Sequence, residues 1–186
     1  LGDRLIWMKI LFINYQPLSK TTYYRPGFFS RELAQRGHQV TIVCTSDRAH
    51  RGIEEYVESG VQHILMPDAL YGRLRTGWDP WNLLNRMYYL RDKKFDLIHA
   101  FETRPATIHP VQYLQWKRRT PLVIDWIDWW GRGGLIKEHR PIWYQYLCGW
   151  LETFYEENFR TSADGTTVIS HALAARAESL GVNPAT

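Results

Sequence analysis

Short apolar runs alternate with amphipathic stretches along almost the whole of this 186-residue chain. Met8 to Ile13 opens it, a compact apolar run ending on polar Asn14. Runs of that kind, unbroken rather than alternating, mark strands buried on both faces of a parallel sheet. A polar, aromatic loop follows to Arg25; Pro26 and Gly27 then open a predicted helix over Phe28 to Arg36, which Gly37 ends. His38 to Thr45, rich in β-branched residues, is a second strand. Val61 to Met66 is read as the third parallel strand, and Glu54 to Val57 before it as a hairpin partner or a short helix.

The second half repeats the theme. Pro80 to Leu90 is a helix, Phe95 to Phe101 the fourth strand, and Pro105 to Lys117 a helix whose Pro110 shifts the expected start toward His109. Pro121 to Asp128 is the fifth strand, followed by the glycine-rich turn Gly131-Arg132-Gly133-Gly134. Ile142 to Phe159 is the longest helix, with Trp143, Tyr146, Leu147, Trp150, Leu151 and Phe154 on one stripe. That stripe is assigned to core packing or to a surface covered by another domain. Ala163 to Ser170 is the sixth strand, and Ala172 to Leu180 a last helix ended by Gly181. The alternation predicts an α/β fold: a doubly wound, mostly parallel Rossmann-like sheet flanked by helices. Ligands in such sheets bind beyond the carboxyl ends of the strands.

Composition narrows the class. With 45% hydrophobic and 23% charged residues, the chain is neither disordered nor built to span a bilayer. It lacks a secretory leader, and its two cysteines, Cys44 and Cys148, have no evident pairing; both features favour the cytoplasm. Leu1 to Trp7 precede Met8, a plausible initiator, and are set aside as a leader or expression remnant. The net charge of +4 is mild, and no nucleic-acid-binding signature accompanies it. Arg73 to Lys94 interleaves arginines and lysines with Trp and Tyr, which reads either as a peripheral membrane contact or as a solvated face over an aromatic core.

Several chemistries drop out. Without G-x-G-x-x-G after the first strand there is no dinucleotide cradle, and without G-x-x-x-x-G-K-[ST] no P-loop. No nucleophile elbow appears, and the scattered histidines lack metal-ligand spacing, so neither a cofactor nor a metal is expected.

The order of short motifs resembles family 4 glycosyltransferases. It consists of strand-tip Asn14, Arg36-Gly37-His38-x-Val40, Phe95-Asp96-Leu97-Ile98-His99-Ala100, Pro121-Leu122-Val123, and Thr167-Val168-Ile169-Ser170 with Leu180-Gly181-Val182. These match the amino-terminal domain of such retaining, GT-B-fold enzymes from Met8 onward. The resemblance implies transfer of a sugar from a nucleotide-sugar donor to a sugar, lipid-linked or small-molecule acceptor. It implies that residues 8–186 form the acceptor-side domain, and that a carboxy-terminal domain outside this chain holds most of the donor and carries Glu-x7-Glu. Alone, this half is expected to be inactive. Lipid-linked acceptors would place it at the inner face of a membrane. A non-catalytic binding module and a nucleotide-sugar epimerase of the same fold are the rival readings.

Two departures shape the candidate site. The family's Gly-Gly pair after the first strand is replaced by Tyr15 to Arg25, where Lys20, the Thr21 and Thr22 hydroxyls and Arg25 either stand in for backbone amides as phosphate partners or simply form a solvated loop tip. Tyr24 and Arg25, at the end of this loop, are candidate substrate contacts. The family's strand-end His is here Ile127, which can neither exchange a proton nor accept a hydrogen bond. Asp128 is therefore the candidate catalytic residue, with Asp125, three positions earlier in the same strand, as a second candidate. Both would contact sugar hydroxyls, unless they pair with Arg132 or cap a helix. Glu102 and Arg104 are expected to face the cleft from the fourth strand end, and His99 lies on that strand. Arg132, Gly133 and Gly134 form either an anion-binding nest or a plain chain reversal.

Overall fold

A computed structural model describes residues 7–20, 23–48, 51–69, 77–182 and the backbone of 184–185. Eight strands form one sheet: β1 (Lys9–Pro17), β2 (Gln39–Thr45), β3 (Glu54–Glu58), β4 (Val61–Met66), β5 (Leu97–Phe101), β6 (Leu122–Trp126), β7 (Gly165–Val168) and β8 (Pro184–Ala185). Their order is β3-β4-β2-β1-β5-β6-β7-β8, and every pairing is parallel except the edge hairpin of β3 with β4. The early ambiguity resolves to the hairpin: Glu54–Glu58 is a strand paired antiparallel with Val61–Met66, which runs parallel to β2 as expected. The sequence of strands reverses direction at β1 and β5, which puts the topological switch point between their carboxyl ends.

Alternation along β1 separates the two layers. Leu11 and Ile13 join Ile98, Ala100, Ile124 and Val111 on one face, while Ile10 and Phe12 join Val40, Ile42 and Phe101 on the other. The first face carries α2 (Pro80–Leu90), α3 (Pro105–Arg118), α5 (Ile142–Asn158) and α6 (His171–Ser179); α1 (Tyr24–Gln35) packs on the second through Phe29, Leu33 and Ala34. A short α4 (Ile136–His139) precedes α5.

Local chemistry accounts for the boundaries. Gly37, at φ +91°, ends α1 with paired turn hydrogen bonds from Gly37 N–H to Ala34 and from His38 N–H to Leu33. Asp79 caps α2 by accepting from the Trp81 and Asn82 amides, with Pro80 at the first helical position. α1 begins at Tyr24, earlier than expected, so Arg25 falls in its first turn. α3 begins at Pro105 and runs through Pro110, rather than starting at His109. The Arg104 carbonyl accepts from both Thr107 and Ile108 at its start, and buried Ala106, Ile108 and Val111 hold it against the sheet.

Candidate active site at the strand ends

Asp125 is wholly buried, and Arg25 reaches across from α1 to grip it. Its Nε and Nη2 donate to the two carboxylate oxygens at 2.8 and 2.7 Å. This is a bidentate ion pair between residues far apart in sequence, and a third of the Arg25 side chain stays open to water. The Thr167 hydroxyl on β7 also donates to Asp125, and His99 Nε2 lies 3.4 Å from that hydroxyl. His99 is stacked on Phe101 and meets Phe12 edge-on. Burial lowers its pKa to about 4, with Asp125 opposing the shift, so the ring is neutral. Three predicted residues, Arg25, His99 and Asp125, thus meet in one cluster on the α1 side of the sheet. Asp125 takes Arg25 as its partner rather than Arg132.

The opposite side is sealed. Glu102 and Arg104 do not open to a cleft as expected, because each finds a buried partner on or near α5. The Glu102 backbone is left-handed at φ +68°, a conformation uncommon outside glycine. It turns the carboxylate inward to accept from Arg160 Nη2 at 2.9 Å and from the Ile127 and Asp128 amides at 2.9 and 3.2 Å. Burial pushes this carboxyl up to about 7 despite the Arg160 charge. Arg104 pairs with Glu152, which also accepts from the Tyr144 hydroxyl. The crevice among Glu102, Arg104, Trp130 and Glu156 has room for about 10 Å³, too little for a ligand. Gly77, at φ +81°, packs tightly beside Arg104: a Cβ there would stand 2.6 Å from the Arg104 Cβ and 3.0 Å from that of Tyr15.

The glycine turn already holds an anion, and it is the protein's own. Glu156 accepts from the Trp130 and Gly131 amides and from Trp126 Nε1, while the Gly134 amide is used by the Gly131 carbonyl. The nest reading is corrected for Gly134, whose amide is spent within the turn. Arg132 and Gly133 remain exposed and line a separate groove against α5. Tyr24 is exposed and lines a pocket of about 270 Å³ with Tyr23, Arg31 and His63, apart from the Asp125 cluster.

Asp128 is half-buried just past β6. Its amide is fixed by Glu102 and its carbonyl accepts from Trp126 Nε1 at 3.0 Å. Among the described residues, no hydrogen bond or ion pair engages its carboxylate; burial raises the nearby Tyr15 phenol above its ordinary value, and the Asp128 charge adds a small part of that rise. Sequence reasoning missed Glu152, Glu156 and Arg160. Glu152 and Glu156 stand four apart on α5, and Arg160, four further on, falls in the 3-10 turn Arg160–Ser162 just after it; that spacing was the available signal. Among the described residues, no three His, Cys, Asp or Glu side chains converge to hold a metal. Lys20 is exposed, whereas Thr21, Thr22, Arg73 and Arg75 lie outside the described residues.

A mostly parallel sheet with a switch point and polar groups gathered at its strand ends defines a Rossmann-like α/β domain with a candidate site at the carboxyl edge of the sheet. The profile of the glycosyl transferase 4-like domain family matches residues 29–186, and the chain belongs to that family. Among solved structures it is similar to sucrose-phosphate synthase from Thermosynechococcus elongatus, with a TM-score of 0.64 at 13% identity. The match covers 92% of this chain and 44% of that one, so this chain spans less than half the length of that structure. A comparison with curated proteins finds no match.

Proposed function

We propose that this chain is the acceptor-side domain of a retaining glycosyltransferase that uses a nucleotide-sugar donor. The observation that carries the reading is Asp128, a half-buried carboxylate without a hydrogen bond or ion pair among the described residues, whose backbone is clamped at a strand end. Such a group is pre-positioned to accept a hydrogen bond from a sugar hydroxyl, acceptor or donor, and to fix its approach. Arg25 is the second contributor. With Nε and Nη2 spent on Asp125, its Nη1 is the donor left for an anion such as a departing diphosphate. The transition state would be oxocarbenium-like, and most diphosphate stabilisation would come from a second domain that binds the donor. On this reading the chain alone does not turn over donor.

Transfer of label from a radioactive nucleotide sugar to an acceptor extract, by the protein joined to its second domain, tests the assignment. Asp128→Asn should lower transfer by about 10²-fold with an unchanged melting temperature; unchanged transfer would remove Asp128 from the site. Nucleotide diphosphates should bind this chain alone weakly or not at all.

Ile127 favours a second reading, a carbohydrate- or partner-binding module without transfer chemistry. Its amide is committed to Glu102 and its side chain packs with the α1-side core, so it offers nothing to a reacting sugar. Glycan binding by the two-domain protein without donor turnover would favour that module.

A further inference from the structure

The long helix α5 is inside out. Its buried residues are Glu152 and Glu156, while Ile142, Trp143, Tyr146, Leu147, Trp150 and Phe154 stand between 46% and 82% exposed. Of the two expectations for this stripe, core packing is thereby corrected; the stripe is an outer surface. The helix satisfies Arg104 and the 130–131 amides with its acidic face, and that turns the aromatic face outward. The six side chains fall within one side of the helix over roughly 18 Å of its length. No Asp, Glu, Lys or Arg occurs from Ile142 to Leu151.

The flank of this stripe is basic. Arg132 and Lys137 line the groove between α4 and α5 together with Trp150 and Phe154. Arg140 lies over the Trp130 and Tyr144 rings, 5.4 and 5.3 Å from their centroids. Glu138 is the one acidic residue from 132 to 141, and Glu157 farther along α5 is neutralised by Arg176.

We propose that this face of α5, with the α4 turn, docks the protein on an anionic lipid bilayer. Trp and Tyr suit the bilayer boundary because each joins an apolar ring to a polar handle. The stripe would enter the headgroup–acyl boundary in the plane of the surface, with Arg132, Lys137 and Arg140 meeting lipid phosphates. A wide uncharged aromatic face with cations along its edge complements that surface in both apolarity and charge. A protein partner would have to supply a matching apolar trough, and an interface between domains of one chain is ordinarily more polar than this. The inference stands apart from the transferase reading.

The proposed contact lies on α5 rather than on the basic, aromatic segment Arg73 to Lys94, whose described residues divide between core and surface. Arg86 is fully buried, donating to the Asn14 carbonyl and the Thr45 hydroxyl, and Lys93 and Lys94 lie with Lys9 at the amino edge of the sheet. α2 keeps an exposed Trp81, Leu84 and Tyr88, which serve as the internal control.

Flotation of the chain with phosphatidylcholine vesicles, with and without phosphatidylglycerol, decides the matter. The expected result is capture by the anionic vesicles that weakens with salt. Trp143→Ser with Trp150→Ser should lower the bound fraction at least about tenfold without lowering the melting temperature. Arg132→Glu with Lys137→Glu should abolish the preference for anionic lipid, and Trp81→Ser with Tyr88→Ser should leave capture unchanged. Leu147→Glu gives a second, single-site test of the same face. Absence of flotation overturns the proposal. So does capture that survives the α5 changes, and so does a concentration-dependent dimer, dissolved by those changes, in a protein that ignores vesicles.

Discussion

Two ionic clusters meet at the carboxyl end of β6, and they differ in what can reach them. On the α1 side, Asp125 is held by an arginine that is one-third open to water. On the α5 side, Glu102 and Arg160 pair with side-chain exposures of 9% and 0%. The two are joined through one residue: the Asp125 carbonyl accepts from the Glu102 amide and from Arg160 Nη1, each at 3.2 Å, while its carboxylate faces Arg25. Similar charges therefore have opposite uses. The sealed pair fixes the backbone on which Asp128 sits, and the half-open pair leaves a guanidinium donor for something outside.

Breaking the sealed side should cost most. Arg160→Met keeps an apolar stem of similar length but removes the guanidinium that lies over Trp126 and pairs with Glu102, leaving Glu102 without its ion-pair partner. Removing one partner of such a pair typically destabilises by about 3–5 kcal/mol, and urea unfolding reads it directly. A loss below about 1 kcal/mol would mean that water reaches Glu102 and that the two sides are alike. Arg25→Ala should cost less, about 1–2 kcal/mol, because Thr167 still donates to Asp125 and water can take the place of a partly exposed guanidinium. If Arg25→Ala proves the more damaging change, the ranking of the two clusters is reversed.

That contrast also shows what could be read from the residues in order. The strands, the switch point and the glycine ends of α1 and α6 follow from apolar runs and turn chemistry, which are local. Arg25 and Asp125 were each singled out, but their union joins the first turn of α1 to β6, 100 residues further along the chain, and no spacing rule reports it. The stripe on α5 was visible as a period, yet a period does not say which side faces water. Glu152, Glu156 and Arg160 held the answer, because they satisfy groups on β5 and the 130–131 turn that only the folded chain brings near. The glycine turn is similar: its shape suits an anion, and the anion proved to be Glu156.

Acidity offers the finest test of the comparison, since the two sides should respond to pH with opposite signs. Burial lowers His99, on the half-open side, from 6.5 to about 4. Its stabilising contribution is therefore complete above pH 6.5 and is lost as pH falls toward 4, where the unfolded chain binds a proton that the fold refuses. Glu102, on the sealed side, is raised by burial from 4.5 to about 7. Its contribution is complete below pH 4.5 and is lost as pH rises through 7, because the fold then holds a buried charge that the unfolded chain carries at no cost. Between pH 4.5 and 6.5 the slopes oppose each other and partly cancel in the intact protein. Each substitution should therefore uncover the other's slope when stability is followed by urea unfolding across this range. His99→Gln should make the protein gain stability on acidification, and Glu102→Gln should make it lose stability. Equal slopes in the two variants would show that neither side is sealed from water in the way that separates them here.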